Sequence, residues 1–374
     1  MADAAHGKET GDVTVGKVAG KVAGLKPRDR VRVGLIGAGR MGFFHGETLA
    51  RRIPGAELAV VADPVPGVAE RLTTSLGGRA TTDTTDLLGD PDIDAVVIAS
   101  AAAFHTDLVV AASAAGKAVF CEKPMALSLA DADRAIAAAR GAQVPLQVGF
   151  NRRFAADFRA AREVVAAGGV GRPQLMRSLT RDPGLANPGA VKPWTIFLET
   201  LIHDFDALRW LNPGSEPVEV YAVADALVAP DFKASGLLDT AVVVVRFDNG
   251  AIATAEANFS AVYGYDVRGE VFGSAGMVTA GDQRRTGMSF YGREGILTET
   301  VRGDQELFRD AYTAELASFT EAVRTGATPQ VTGEDARGAL AIALACIASV
   351  KTGRPVTIEE LPELRVDEPA VGTQ

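Results

Sequence analysis

Short apolar runs alternate with amphipathic stretches from Val31 onward. The runs VRVGLIG (31–37), ELAVVAD (57–63), DAVVIAS (94–100), KAVFCEK (117–123) and PLQVGF (145–150) are rich in Val, Ile and Leu. Unbroken apolar runs of this length suit strands covered on both faces, as in a parallel sheet. Between them lie the helical patterns MGFFHGETLARRI, GVAERLTTSL, FHTDLVVAASAAG and SLADADRAIAAARG, several ending at glycine. Strand alternating with helix predicts an α/β, Rossmann-type doubly wound parallel sheet over residues 29–150.

After Phe150 the rhythm changes. A helix over 155–167 leads to the strand-like RPQLMRSLT, and a second helix is expected from Phe197 to Trp210. DTAVVVVRFDNGAIATAEANF reads as two strands joined at Asp248-Asn249-Gly250, a hairpin signal. Further strands are expected over 267–279 and 288–301, then helices over 306–325 and 333–352. Adjacent strands without helical crossovers make residues 151–374 an α+β domain with a large open, mainly antiparallel sheet. Residues 1–28, with the near-repeat GKVAGKVAG, lack an apolar core pattern and are expected to be a flexible tail. The Gly11–Lys17 run has phosphate-loop spacing, but Val18 stands where Ser or Thr must hold magnesium, and no strand precedes it.

Composition narrows the function. The 374 residues carry 38 Lys and Arg against 47 Asp and Glu, a net charge of −9. That balance argues against a nucleic-acid partner, which needs a basic face. No apolar run is long enough to span a bilayer. Two cysteines make no disulfide framework, so a reducing, cytoplasmic setting is expected. Four histidines, at 6, 45, 105 and 203, are too scattered in sequence to suggest a metal site, and none is expected.

The first motif with chemical content is Gly37-Ala38-Gly39-Arg40-Met41-Gly42, G-x-G-x-x-G between the first strand and first helix. The first glycine permits a tight turn, the second admits a pyrophosphate, and the third lets helix and strand pack closely. Asp63 ends the next strand, where a carboxylate can accept the ribose hydroxyls and repel a 2′-phosphate, so NAD is the expected cofactor. A structural turn with a surface Asp is the plain alternative. Glu122-Lys123-Pro124 ends another strand, so Lys123 faces the cofactor crevice and can meet a substrate hydroxyl; otherwise it is a surface lysine. Glu199 and His203 stand four apart on the expected helix, on one face. A histidine there can take a hydroxyl proton with a carboxylate behind it, although such spacing more often marks a solvated ion pair.

Together these segments resemble the Gfo/Idh/MocA oxidoreductases, within them the inositol 2-dehydrogenase branch. The resemblance runs from Val31 to about Pro355 and covers VGLIGAGRMG with His45, AGKAVFCEKP, VGFNRRF, FLETLIHDFDALRWL and YGYDVRGEVFGSAGMV. It implies an NAD-binding first domain and a second domain that pairs subunits into a homo-oligomer, a dimer or tetramer. Lys123 and His203 match the family's catalytic lysine and histidine, with Glu199 in the place of an Asp. Glu122 and Lys123, with Ser100, Ala101 and His105, join the cofactor-binding candidates. Asn151, Arg152, Tyr263 and Tyr265 match substrate-pocket positions, the tyrosines on one side of a strand. Thr180-Arg181-Asp182 stands where a relative offers His, and Lys192-Pro193-Trp194-Thr195 replaces a small segment, so Asp182 and Trp194 are further pocket candidates. The implied activity is oxidation of a secondary hydroxyl of a cyclitol or sugar. The alternatives are a glycoside or amino-sugar dehydrogenase and a catalytically inert NAD sensor.

Overall fold

The computed structural model describes residues 30–361; the tail expected over 1–28 lies outside the described residues. In the first domain β1 (Val31–Ile36), β2 (Ala56–Ala62), β3 (Arg79–Thr81), β4 (Ala95–Ile98), β5 (Ala118–Cys121) and β6 (Leu146–Val148) all pair parallel, in the order β3-β2-β1-β4-β5-β6. The connecting helices are α1 (Arg40–Arg52), α2 (Val68–Leu76), α3 (Thr84–Leu88), α4 (His105–Ala114) and α5 (Leu129–Ala142). β4 and β5 are buried at every position, as continuous apolar strands in a covered sheet must be. β3 and α3 are too short to leave a periodic signal. The chain departs from β1 toward β2 on one side and continues at β4 on the other. Such a reversal opens a crevice at the carboxyl ends of the strands.

The second domain begins with α6 (Ala156–Ala166) and β7 (Pro173–Arg181). After α7 (Ile202–Trp210) come β8 (Pro217–Asp225), β9 (Thr240–Phe247), β10 (Ile252–Asn258), β11 (Asp266–Gly273) and β12 (Met277–Ala280). A separate hairpin, β13 (Arg284–Gly292) and β14 (Gly295–Thr300), precedes α8 (Asp304–Leu307), α9 (Arg309–Thr325), α10 (Gly333–Thr352) and β15 (Val356–Thr357). The seven-stranded sheet runs β12-β11-β7-β10-β9-β8-β15, antiparallel throughout except where β7 meets β10. The hairpin at Asp248-Asn249-Gly250 is present, with Gly250 at φ +84°. The two later strands expected over 267–279 and 288–301 are each a pair of strands. Turns at 274–276 and at Arg293-Glu294 divide them, because alternation continues across a tight turn almost unchanged.

Two departures bear on the site. The helix expected from Phe197 begins as a π-helical turn over Ile196–Thr200, where Leu201 N–H donates to Ile196 O at 2.8 Å. Only from Ile202 is it α-helical. The late helices also return to the first domain. Leu316, Phe319 and Val323 of α9 join the core of Val33, Leu35, Val61 and Phe120. α10 is buried throughout from Ala339 to Ser349, and Arg153 ties its start to α7 through Asp206 (2.6 Å) and Asp335 (3.0 Å). The two sheets are thereby held at a fixed relation around the crevice.

Candidate active site

The glycine-rich turn is built as its spacing demands. Gly37 has φ +92°, and a Cβ there would sit 2.8 Å from the Ala99 backbone. A Cβ on Gly42 would lie 2.0 Å from Gly37 O, so the helix can approach the strand only with glycine at this position. Gly39 differs: a Cβ there meets nothing within 4 Å. It is the N-cap of α1 and offers no side-chain cap to the first N–H groups, and the first turn holds no acid. Open space before unpaired N–H groups at a helix N-terminus suits an incoming phosphate. Asp63 accepts from Ala38 N–H at 2.8 Å and Val65 N–H at 3.0 Å, which fixes its carboxylate beside this turn. These residues fit a dinucleotide. When bound, it supplies a nicotinamide that accepts or returns a hydride.

Lys123 follows β5 into the crevice. Its ammonium donates to Glu199 O at 2.9 Å, which moors the lysine to the π-helical turn of the second domain. A cavity of about 220 Å³ opens here, lined by Lys123, Asn151, Arg152, Asp182, Glu199, His203 and Tyr265. A larger groove of about 410 Å³, between α5 and the α9–α10 loop, contains none of these side chains. His203 opens the first turn of α7, edge-on to Phe150 at 5.8 Å. Burial, with the charges of Lys123 and Arg152, pushes its imidazole well below the usual range. It is therefore a neutral ring at pH 7, able to accept a proton.

Behind the cavity lies a buried polar floor. Arg152 donates to Asp204 at 2.7 Å and to Thr180, while Ser178 and Thr180 also donate to Asp204. Asp204 thus receives bonds from three side chains, and Arg152 acts as a fixed positive field beneath His203. Asp182, at the end of β7, has a carboxyl raised to about 6 by burial and by the charge of Asp304. Burial and nearby Asp182 push the Tyr265 phenol above its ordinary value.

Several expected roles are corrected by the geometry. Glu199 lines the cavity but does not orient His203: the π-helical turn breaks the i,i+4 relation, and His203 Nδ1 has no hydrogen-bond partner. Trp194, at φ +64° and 1 % exposed, stacks on Phe197 at 6.5 Å with the Lys351 ammonium 5.5 Å from its ring. It belongs to the core behind the pocket. Tyr263 and Tyr265 do not share a strand face, because β11 starts only at Asp266. Gly264 between them, at φ +136°, turns the chain, leaving Tyr263 exposed and donating to Asp266 at 2.6 Å. His105 is buried, with its ring nitrogens 2.8 Å from Pro124 O and 3.0 Å from Ser100 O. It braces the loops after β4 and β5 instead of lining the cavity.

The sequence reading missed Asp304, Phe308 and Tyr312, which complete the cavity wall. It also missed a buried trio in which His45, Glu122 and Glu315 place their ligating atoms within 4.8 Å of one another. His45 Nε2 and Glu122 Oε1 are 2.6 Å apart. That is a hydrogen-bond length, shorter than the spacing of two atoms bound to one metal at about 2.1 Å each. Burial opposes the charge on Glu122, but the His45 hydrogen bond and the charges of His45 and Lys123 hold its carboxyl below the usual range. Burial and the Glu122 charge push Glu315 well up. The two carboxyls therefore divide into one anion and one neutral acid.

A two-domain fold with this crevice and this lysine–histidine pair defines a dinucleotide-dependent oxidoreductase. The oxidoreductase family model with an NAD-binding Rossmann fold matches residues 31–150, and the GFO/IDH/MocA C-terminal domain matches residues 158–279. The chain belongs to the Gfo/Idh/MocA family. It is 39 % identical over 339 residues to the myo-inositol 2-dehydrogenase of Thermotoga maritima, covering 88 % of this chain and 99 % of that one. The scyllo-inositol 2-dehydrogenase (NAD(+)) of Bacillus subtilis is 35 % identical, with coverage of 88 % and 97 %. A crystal structure of scyllo-inositol dehydrogenase from Lactobacillus casei, with bound NAD(H) and scyllo-inositol, superposes with a TM-score of 0.85. It is 28 % identical and covers 88 % of this chain and all of that one.

Proposed function

We propose that this protein oxidises a secondary ring hydroxyl of a cyclitol, with NAD as hydride acceptor and an inositol as the substrate to test first. One observation carries the reading: Lys123 from the cofactor domain and His203 from the substrate domain line the same small cavity at the mouth of the dinucleotide crevice. Neutral His203 takes the proton of the reacting hydroxyl. The Lys123 ammonium, moored on Glu199 O, donates to the same oxygen as negative charge develops there. Asn151, Asp182, Glu199 and Tyr265 supply the convergent polar groups that a ring with several hydroxyls requires. The inositol dehydrogenases among its relatives support this substrate class.

The test is NAD reduction by purified protein with myo-inositol, scyllo-inositol, simple glucosides and amino sugars. Turnover with an inositol that falls about 100-fold or more in both Lys123→Ala and His203→Ala supports the proposal. Turnover confined to amino sugars would transfer it to the second reading, for which the acidic wall of Asp182, Glu199 and Asp304 could receive an ammonium. No turnover across the panel, with tight NAD binding, points to a sensor.

We also place the protein in the cytoplasm as a homo-oligomer. Among the described residues no helix is long and apolar enough to cross a membrane. The outer face of the second sheet sets exposed Ile252, Leu175, Phe272 and Met277 side by side across four neighbouring strands. An apolar row of this kind suits a second copy of the same face. A monomer by sedimentation at micromolar concentration would refute the oligomer.

A further inference from the structure

Arg40 carries positive charge where a helix least accommodates it. It is the first residue of α1, at the positive end of the helix dipole, and that first turn contains no acid. The compensating anion comes from far along the chain. Arg40 Nη1 donates to both oxygens of Asp304, at 2.9 and 3.0 Å, across 264 positions. The neighbouring Gln305 amide lies 3.5 Å from Arg40 O and 3.5 Å from Met41 Sδ, holding the start of α8 against the glycine-rich turn.

This places a carboxylate beside the helix end that a dinucleotide pyrophosphate approaches. Carboxylate and phosphate both accept two N–H bonds from one guanidinium. Gly39 leaves the phosphate approach open, the Arg40 side chain is 65 % exposed, and among the described residues Asp304 is the hydrogen-bond partner of its guanidinium. We propose that Asp304 is an internal competitor of the cofactor pyrophosphate for Arg40. The acid holds Arg40 until a dinucleotide takes it over, and it reclaims Arg40 as the dinucleotide leaves. The consequence is a weaker but faster-exchanging cofactor, useful where cofactor release limits turnover.

The test uses NADH fluorescence titration and stopped-flow release on the full chain without substrate, so its outcome does not depend on which polyol is oxidised. Asp304→Asn should lower the NADH Kd about two- to five-fold, as expected for an exposed ion pair, and slow release in step. Arg40→Gln should weaken binding, and adding Asp304→Asn to it should change nothing further, because the acid acts only through the arginine. An unchanged or raised Kd in Asp304→Asn overturns the proposal. So does an equal gain in affinity in the Arg40→Gln background, which would mean that simple removal of negative charge explains the effect.

Discussion

The cofactor side and the substrate side of the crevice are built by opposite means. The glycine-rich turn, with Asp63 beside it, is assembled mainly from residues 37–63, closed by the Ala99 backbone against Gly37, and its contacts follow from backbone geometry. The substrate wall draws on the ends of β5, β6 and β7, a π-helical turn, the start of α7, the loop before β11 and the starts of α8 and α9. No one of these segments carries the site. A turn fixed by sterics tolerates little change anywhere, whereas a wall gathered from distant segments can change shape one residue at a time. That contrast predicts shared cofactor use and variable substrate among proteins of this architecture.

The largest effect should come from the reacting centre. His203→Gln keeps the size and polarity of the side chain but cannot take a proton at neutral pH. Turnover should fall by about 100- to 10,000-fold while the NADH Kd stays within about twofold. The wild-type pH profile sharpens this. Burial and two nearby cations lower the His203 pKa, so the base form persists below pH 6.5 and the acid limb of kcat belongs well under that value. An acid limb at or above pH 6.5 would show a different base. A loss of NADH binding in His203→Gln would show that the two walls are not separable.

Next comes the floor beneath the cavity. Asp204→Ala removes the partner of buried Arg152 and leaves an uncompensated cation, which should cost about 3–5 kcal/mol of stability. Urea unfolding measures it, and a loss below 1 kcal/mol would mean that Arg152 finds another anion. Nothing in the sequence advertised this network. Asp204 sits in a helix beside the more conspicuous His203, and Ser178 and Thr180 look like ordinary strand residues until β7 is laid against α7. The glycine-rich turn, in contrast, was legible because its geometry depends on neighbours in the chain. The alternation of strand and helix that builds the parallel sheet was legible from the same locality, whereas the short β3 and α3 were not. Two things escaped for a common reason: the π-helical turn and the Gly264 reversal each shift a side chain by one position, and periodicity reads through such shifts. Glu199 and Tyr263 were misplaced by them.

The buried trio provides an effect of the opposite sign. Glu315 is raised well above an ordinary carboxyl by burial and by Glu122. Its unfolded-state pKa is therefore the lower one. Below that value both states are protonated and stability is unaffected; as pH rises the unfolded state ionises first, and the native state loses stability until its own pKa is reached. Glu315→Gln removes this penalty while preserving shape. The variant should match wild type near pH 4 and exceed it at pH 7–8 in thermal unfolding, with the difference growing with pH. Equal stability at all pH values would mean that Glu315 is ionised in the folded protein.

The smallest effects separate the two tyrosines. Tyr263 is 43 % exposed and gives its hydroxyl to Asp266, outside the cavity, so Tyr263→Phe should leave KM and kcat for the polyol within about twofold. Its cost is one hydrogen bond, about 1 kcal/mol of stability. Tyr265 lies inside the cavity, edge-on to Phe308 at 6.5 Å, with its hydroxyl available to a ring substituent. Tyr265→Phe should raise KM about two- to tenfold with little change in kcat, as for loss of one neutral hydrogen bond to bound substrate. The comparison turns on Gly264: the same two side chains on an uninterrupted strand would face one way and behave alike. Equal kinetic penalties in the two variants would therefore place both hydroxyls on the substrate and contradict the turn.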